Sequence, residues 1–151
     1  MASQRTAILT AVAGALDGVG KPVGATVHRH RTRPLAADKL PAMVVYSVVP
    51  PGMGQAERVD RTDHEGDVER ILTVRVEARA TGSPTEDAVD ALYVWAVKAL
   101  RTDPTLGGLA LDLAERAVSY AADEGEDALA ACAVDFEVTY YTTEDDPEVG
   151  A

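Results

Sequence analysis

At 151 residues, 46% hydrophobic and 26% charged but only 5% aromatic, the chain has the size and composition of one soluble globular domain with a core rich in alanine and valine. Its net charge of -11 argues against nucleic-acid phosphates as a main partner. One cysteine, Cys132, excludes an intrachain disulfide, and its place in an apolar alternating run marks a buried, inert thiol.

The charge is uneven. Residues 1–50 carry six Lys/Arg against two acids, a net of +4, and residues 51–151 carry a net of -15. Such a division suits either solvated faces or a subunit whose positive side meets the negative side of a neighbour, head to tail.

In chain order, TAILTAVAGAL lies in a predicted helix from Ser3 to Asp17, capped by Ser3, with Ile8, Leu9, Val12 and Leu16 on one face. It is too short to span a bilayer, has no convincing cleavage site, and reads as a helix of a protein made in the cytoplasm. GVGKPVG (18–24) is a breaker-marked exit, and its spacing does not meet the phosphate-loop pattern. A strand is expected over Ala25–Arg31, then a connector (32–42), then MVVYSVV (43–49), a valine-rich run that suits a strand buried on both faces.

Residues 50–66 are polar and rich in breakers and predict a long loop. The next strand, 68–80, places Val68, Leu72, Val74, Val76 and Ala78 on one face. Ser83, Pro84 and Glu86 read as the capped start of a second helix, with Val89, Leu92, Tyr93, Ala96 and Leu100 on its buried side. TDPTLGGLALD (102–112) stops that helix near Arg101–Asp103 and turns the chain at Gly107–Gly108. Strands are expected at 109–120 and 128–142, joined by a DEGED turn (123–127). The second of these places Cys132, Val134, Phe136, Val138 and Tyr140 on one face. The order α-β-β-β-α-β-β predicts an α+β fold with a mainly antiparallel or mixed sheet and two helices on one face. The expected domain is 1–142, followed by a frayed acidic tail, 143–151.

Catalytic constellations do not emerge. His28 and His30 share a strand face and could form half a metal site with His64 and its acidic neighbours, but the spacing meets no metal motif. There is no GxSxG elbow and no cysteine paired with a histidine motif. The expectation is no enzyme activity, no cofactor and no metal. HRHRTR (28–33) is the densest basic run. It lacks interleaved aromatics, so the reading is intersubunit ion pairs through Arg29, Arg31 and Arg33 rather than direct DNA contact. In loop 50–66, Arg58, Asp60, Arg61, Asp63 and Glu65 complete the candidate subunit interface, as a segment that orders against a neighbour.

The combination of the basic strand with PL…LPAMVVY (34–46), RILTVRVEARATG (70–82), DAVDALYVWAVKAL (87–100), DPTLGGLALD (103–112) and DFEVTYYTTEDDP (135–147) resembles the tail terminator proteins of long-tailed phages, the family of the lambda minor tail protein U. The resemblance covers nearly the whole chain. It implies a structural virion protein without an active site. Such a protein forms a homo-oligomeric ring, expected to be a hexamer, at the head-proximal end of the tail. There it touches the tail tube protein and the head-tail connector or head-completion protein, with no membrane partner. Another neck protein of the head-completion or tail-completion kind is the alternative. A small cytoplasmic enzyme or a regulator is more remote.

Overall fold

The computed structural model describes residues 3–29, 40–49, 57–62, 66–81, 85–122 and 129–150. Its elements are α1 (Gln4–Leu16), β1 (Thr26–Arg29), β2 (Ala42–Ser47), β3 (Glu57–Arg61), β4 (Asp67–Thr81), α2 (Thr85–Thr102), β5 (Asp112–Ala122) and β6 (Leu129–Thr143). The sheet runs β1-β2-β4-β6-β5, with β1 parallel to β2 and the other pairs antiparallel. β6 lies along the whole of one side of β4. Consequently β2, opposite Val74–Arg79, and β3, opposite Val68–Leu72, share its other side end to end. This is the expected α+β class.

Side-chain parity decides the layers. Val68, Leu72, Val74, Val76 and Ala78 of β4 and Cys132, Val134, Phe136, Val138 and Tyr140 of β6 are buried, as their alternation predicts. They form one face, and Ile8, Leu9, Val12 and Leu16 of α1 with Val89, Leu92, Ala96 and Leu100 of α2 close over it. Tyr93 packs at the margin of this core. Ser3 caps α1 by accepting from the Thr6 amide at 3.2 Å. Ser83 and Pro84, and the side chain of Glu86, lie outside the described residues. β2 is buried on both faces, as its unbroken apolar run predicts: Met43 and Val45 join the helix-side core, and Ala42 and Val44 are buried on the opposite face.

Four expectations are corrected. Residues 57–61 are strand β3, not loop, because the main chain of β4 supplies partners that the polar sequence ERVDR does not advertise. β2 ends at Ser47, two residues before the expected end. β5 begins at Asp112 because the turn before it is longer than two glycines. Leu106, Gly107 and Gly108 all have positive φ (51°, 71° and 94°), and the Ala110 amide still bonds back to the Thr105 carbonyl at 2.9 Å. Asp103 organises this turn, accepting from the amides of Thr105 (3.1 Å) and Gly107 (2.9 Å). Burial of Leu106 holds a leucine where glycine is the ordinary choice. Lastly, residues 144–150 are not frayed. Gly150 bridges to Thr142, the Pro147 carbonyl accepts from the Gln4 amide at 3.0 Å, and the Glu148 carbonyl accepts from the Gln4 side chain at 2.7 Å. The acidic tail therefore pins the start of α1.

Candidate functional site

The helices cover one face of the sheet. The other face carries a ladder of charged and phenolic side chains from the odd-numbered positions of β4 and β6. Arg75 and Asp135 sit directly opposite one another. Their side chains meet in a two-pronged bond, Nε to Oδ1 at 2.7 Å and Nη2 to Oδ2 at 3.1 Å. Asp135 is buried and Arg75 half-buried, and the Asp135 bond is the main reason the Arg75 guanidinium holds its proton more tightly than usual. Beside them Glu77 accepts from Arg79 at 2.8 Å and from the Tyr46 hydroxyl at 2.7 Å. Burial pushes the Glu77 carboxyl up, but the bonds from Arg79 and Tyr46 outweigh it, and the net shift is downward. Arg116 pairs with Glu137, and Tyr141 donates to Glu69 at 2.9 Å.

Two shallow hollows border this framework. One, of about 210 Å³, lies on the open face between Arg75, Glu77, Ser119, Ala121, Ala131 and Ala133. The other, also about 210 Å³, lies at the start of α1, where Arg70 pairs with Glu57 at 2.8 Å and Tyr140 donates to the same carboxylate at 2.9 Å. Arg75 and Glu77 of the first are each held by a neighbour, Asp135 and Arg79, and Arg70 and Glu57 of the second by each other, with Arg5 beside them at its rim.

The sheet edges differ from its centre. Among the described strands, β1 pairs only with β2 and β5 pairs only with β6. Every residue of β5 from Ala114 to Ala121 is exposed. Val118 and Tyr120 are 37% and 57% exposed although they sit opposite Val134 and Cys132, two core residues. They therefore lie on the helix-side face, yet stay open to solvent. Glu115 shares that face, opposite Phe136, and accepts from the Tyr93 hydroxyl at 2.6 Å. That bond raises the Tyr93 phenol to about 12.

Of the residues singled out by sequence, Arg29 ends β1 on the helix side, opposite Val45, and donates to Thr10 Oγ1 at 2.9 Å. Arg58 and Asp60 lie on β3 and pair with each other at 2.8 Å, both half-exposed. Arg61 belongs to the same strand. Arg31, Arg33, Asp63 and Glu65 lie outside the described residues, as do His30 and His64. The described members do not form one cluster. β3 lies directly on β4 at Val68–Leu72, whereas β1 stands one strand further out, at the level of Val76–Arg79. His28 is bonded to Thr26 Oγ1 at 2.9 Å.

Exposed apolar residues are what the sequence reading passed over. Val19 and Val23 are fully exposed on the exit loop after α1, and Val118 and Tyr120 are exposed on β5. The only sequence signal for β5 was its composition, in which alanine, glutamate and serine dilute the apolar alternation. No helix among the described residues is long and apolar enough to cross a membrane. No family model matches the chain, and no curated protein matches its sequence.

Proposed function

We propose that this chain is the repeating subunit of a phage tail terminator: a ring, hexameric by resemblance, that caps the head-proximal end of the tail tube, ends its polymerisation and joins it to the head connector. The observation that carries this reading is a pair of edge strands, β1 and β5, that have one partner each among the described residues and differ in character, one ending in Arg29 and the other long and bare with Glu115, Val118 and Tyr120 on one face. A long exposed edge strand is a liability in a lone globular protein and an asset in a subunit that assembles. The centre of the same sheet is closed by its own ion pairs, which favours a structural role. The division of charge between the two parts of the sequence supports head-to-tail contacts.

Electron microscopy of particles made without this gene tests the reading. Overlong tail tubes lacking heads are the expected outcome. Tubes of normal length detached from heads would replace termination with a joining role in the neck, and intact particles would remove the protein from the virion.

A further inference from the structure

Strand direction limits how two copies can meet. β1 is parallel to β2, and each step from β2 to β4, β6 and β5 reverses direction. β1 and β5 therefore run oppositely. A second copy displaced across the sheet, or rotated about an axis along the strands, would bring its β1 to the β5 edge as an antiparallel neighbour with its helices on the same side. The pairing registers put the two edges at one height: Arg29 aligns through Val45, Val76 and Val134 with Val118, and Thr26 aligns through Ala42, Arg79 and Ala131 with Ala121.

We infer that the β1 edge of one copy adds to the β5 edge of the next, with Arg29 of the incoming copy level with Val118 and diagonal to Glu115 on the same face, and its α1 laid over Val118 and Tyr120. This rests on reading the chain as an assembly subunit and states how its subunits join. Three observations converge on a second copy as the occupant. First, the charges complement each other on one face: Arg29 has no acidic partner and Glu115 no cationic one among the described residues. Second, Val118 and Tyr120 are left open to solvent on the helix-side face, and α1 stands over β1 at the opposite edge, where Arg29 reaches Thr10. Third, the α1 surface near Thr10 is small and uncharged; Gly14 is exposed, with open space where a side chain would be. That relief suits a projecting tyrosine. Main-chain bonds along the shared edge would supply affinity, and the side chains would supply register. Because the two edges are different surfaces, the contact is heterologous and propagates. A β5–β5 pair would instead set Asp112 beside the end of a partner strand after which Asp123, Glu124, Glu126 and Asp127 follow in sequence.

The test uses the full chain and light scattering across a concentration series. The wild-type chain is expected to assemble. Arg29→Glu, which blocks the β1 edge, and Val118→Lys/Tyr120→Lys, which blocks the β5 edge, are each expected to be monomers with wild-type circular dichroism. Mixed together they should form a heterodimer and nothing larger, since each retains one working edge. A mixture that stays monomeric overturns the inference, and so does either variant assembling like wild type. Assembly that survives Arg29→Glu but not the lysine pair would assign the interface to β5–β5 contact. A wild-type chain that stays monomeric also overturns it, and leaves the deletion phenotype to judge the terminator reading alone.

Discussion

β4 and β5 are both long strands of one sheet, separated only by β6, yet they live in different environments. β4 is paired on both sides, by β6 along its whole length and by β2 and β3 end to end. Its even-numbered apolar residues are sealed under the helices, and Arg70, Arg75, Glu77 and Arg79 are tied into ion pairs. β5 is paired on one side and buries Leu113 alone between Asp112 and Ala121. Val118 and Tyr120 have the residue types of a core strand and the exposure of a surface. Position in the sheet, more than residue type, decides whether an apolar side chain stabilises the subunit or remains available to a neighbour.

The widest separation between the two strands should come from truncating a large side chain on each. Leu72 of β4 is fully buried. Leu72→Ala should cost about 2–5 kcal/mol of unfolding free energy, whereas Tyr120→Ala should stay within about 0.5 kcal/mol in the monomer. Urea unfolding of both variants checks this, and comparable losses would erase the distinction.

A smaller effect is expected at the Arg75–Asp135 pair. Asp135→Ala strands a half-buried guanidinium and should cost about 2 kcal/mol. The apolar double replacement Arg75→Met/Asp135→Leu should recover part of that, because no buried charge is then left alone. A double variant as unstable as the sum of its singles would show that the pair contributes no coupling.

The smallest effect is spectroscopic. The hydroxyls of Tyr46, Tyr93, Tyr140 and Tyr141 each donate to a glutamate, and all five tyrosines, Tyr120 included, hold their protons above the ordinary value of 10.0. Burial is the main cause at Tyr46, Tyr120 and Tyr140, and the glutamate bond at Tyr93 and Tyr141. The neutral phenol is thus the form the fold favours. Its contribution is intact below pH 10.0 and fades as pH rises, through about 12 for Tyr93. Tyrosinate absorbance of the folded chain at pH 10.0 should therefore fall well below the half-ionised level of the urea-unfolded chain. Equal absorbance would mean that the phenol–carboxylate bonds do not persist in solution. Replacing Glu115 by Gln should lower the Tyr93 step most and the Tyr120 step slightly, leaving Tyr46, Tyr140 and Tyr141 in place and sharpening the contrast between the edge and the centre.

Periodicity in the sequence determined both helices, the buried parity of β4 and β6, the double burial of β2 and the α+β class. These follow from local geometry: 3.6 residues per turn and two per pleat assign each apolar side chain to a face before any partner is known. Asp103 and the glycines after it likewise announced a turn. Tertiary structure alone decided the rest. β3 is a strand because β4 offers it a main-chain partner, a choice invisible in ERVDR. The tail is ordered because α1 presents the Gln4 amide and side chain to its carbonyls. Arg75 chose Asp135 through a register that parity cannot specify. Arg29 acquired its significance from β1 being an edge, and Val118 and Tyr120 theirs from β5 being another. Which strands lie at the margin depends on the long-range order of the sheet, and no local period encodes it.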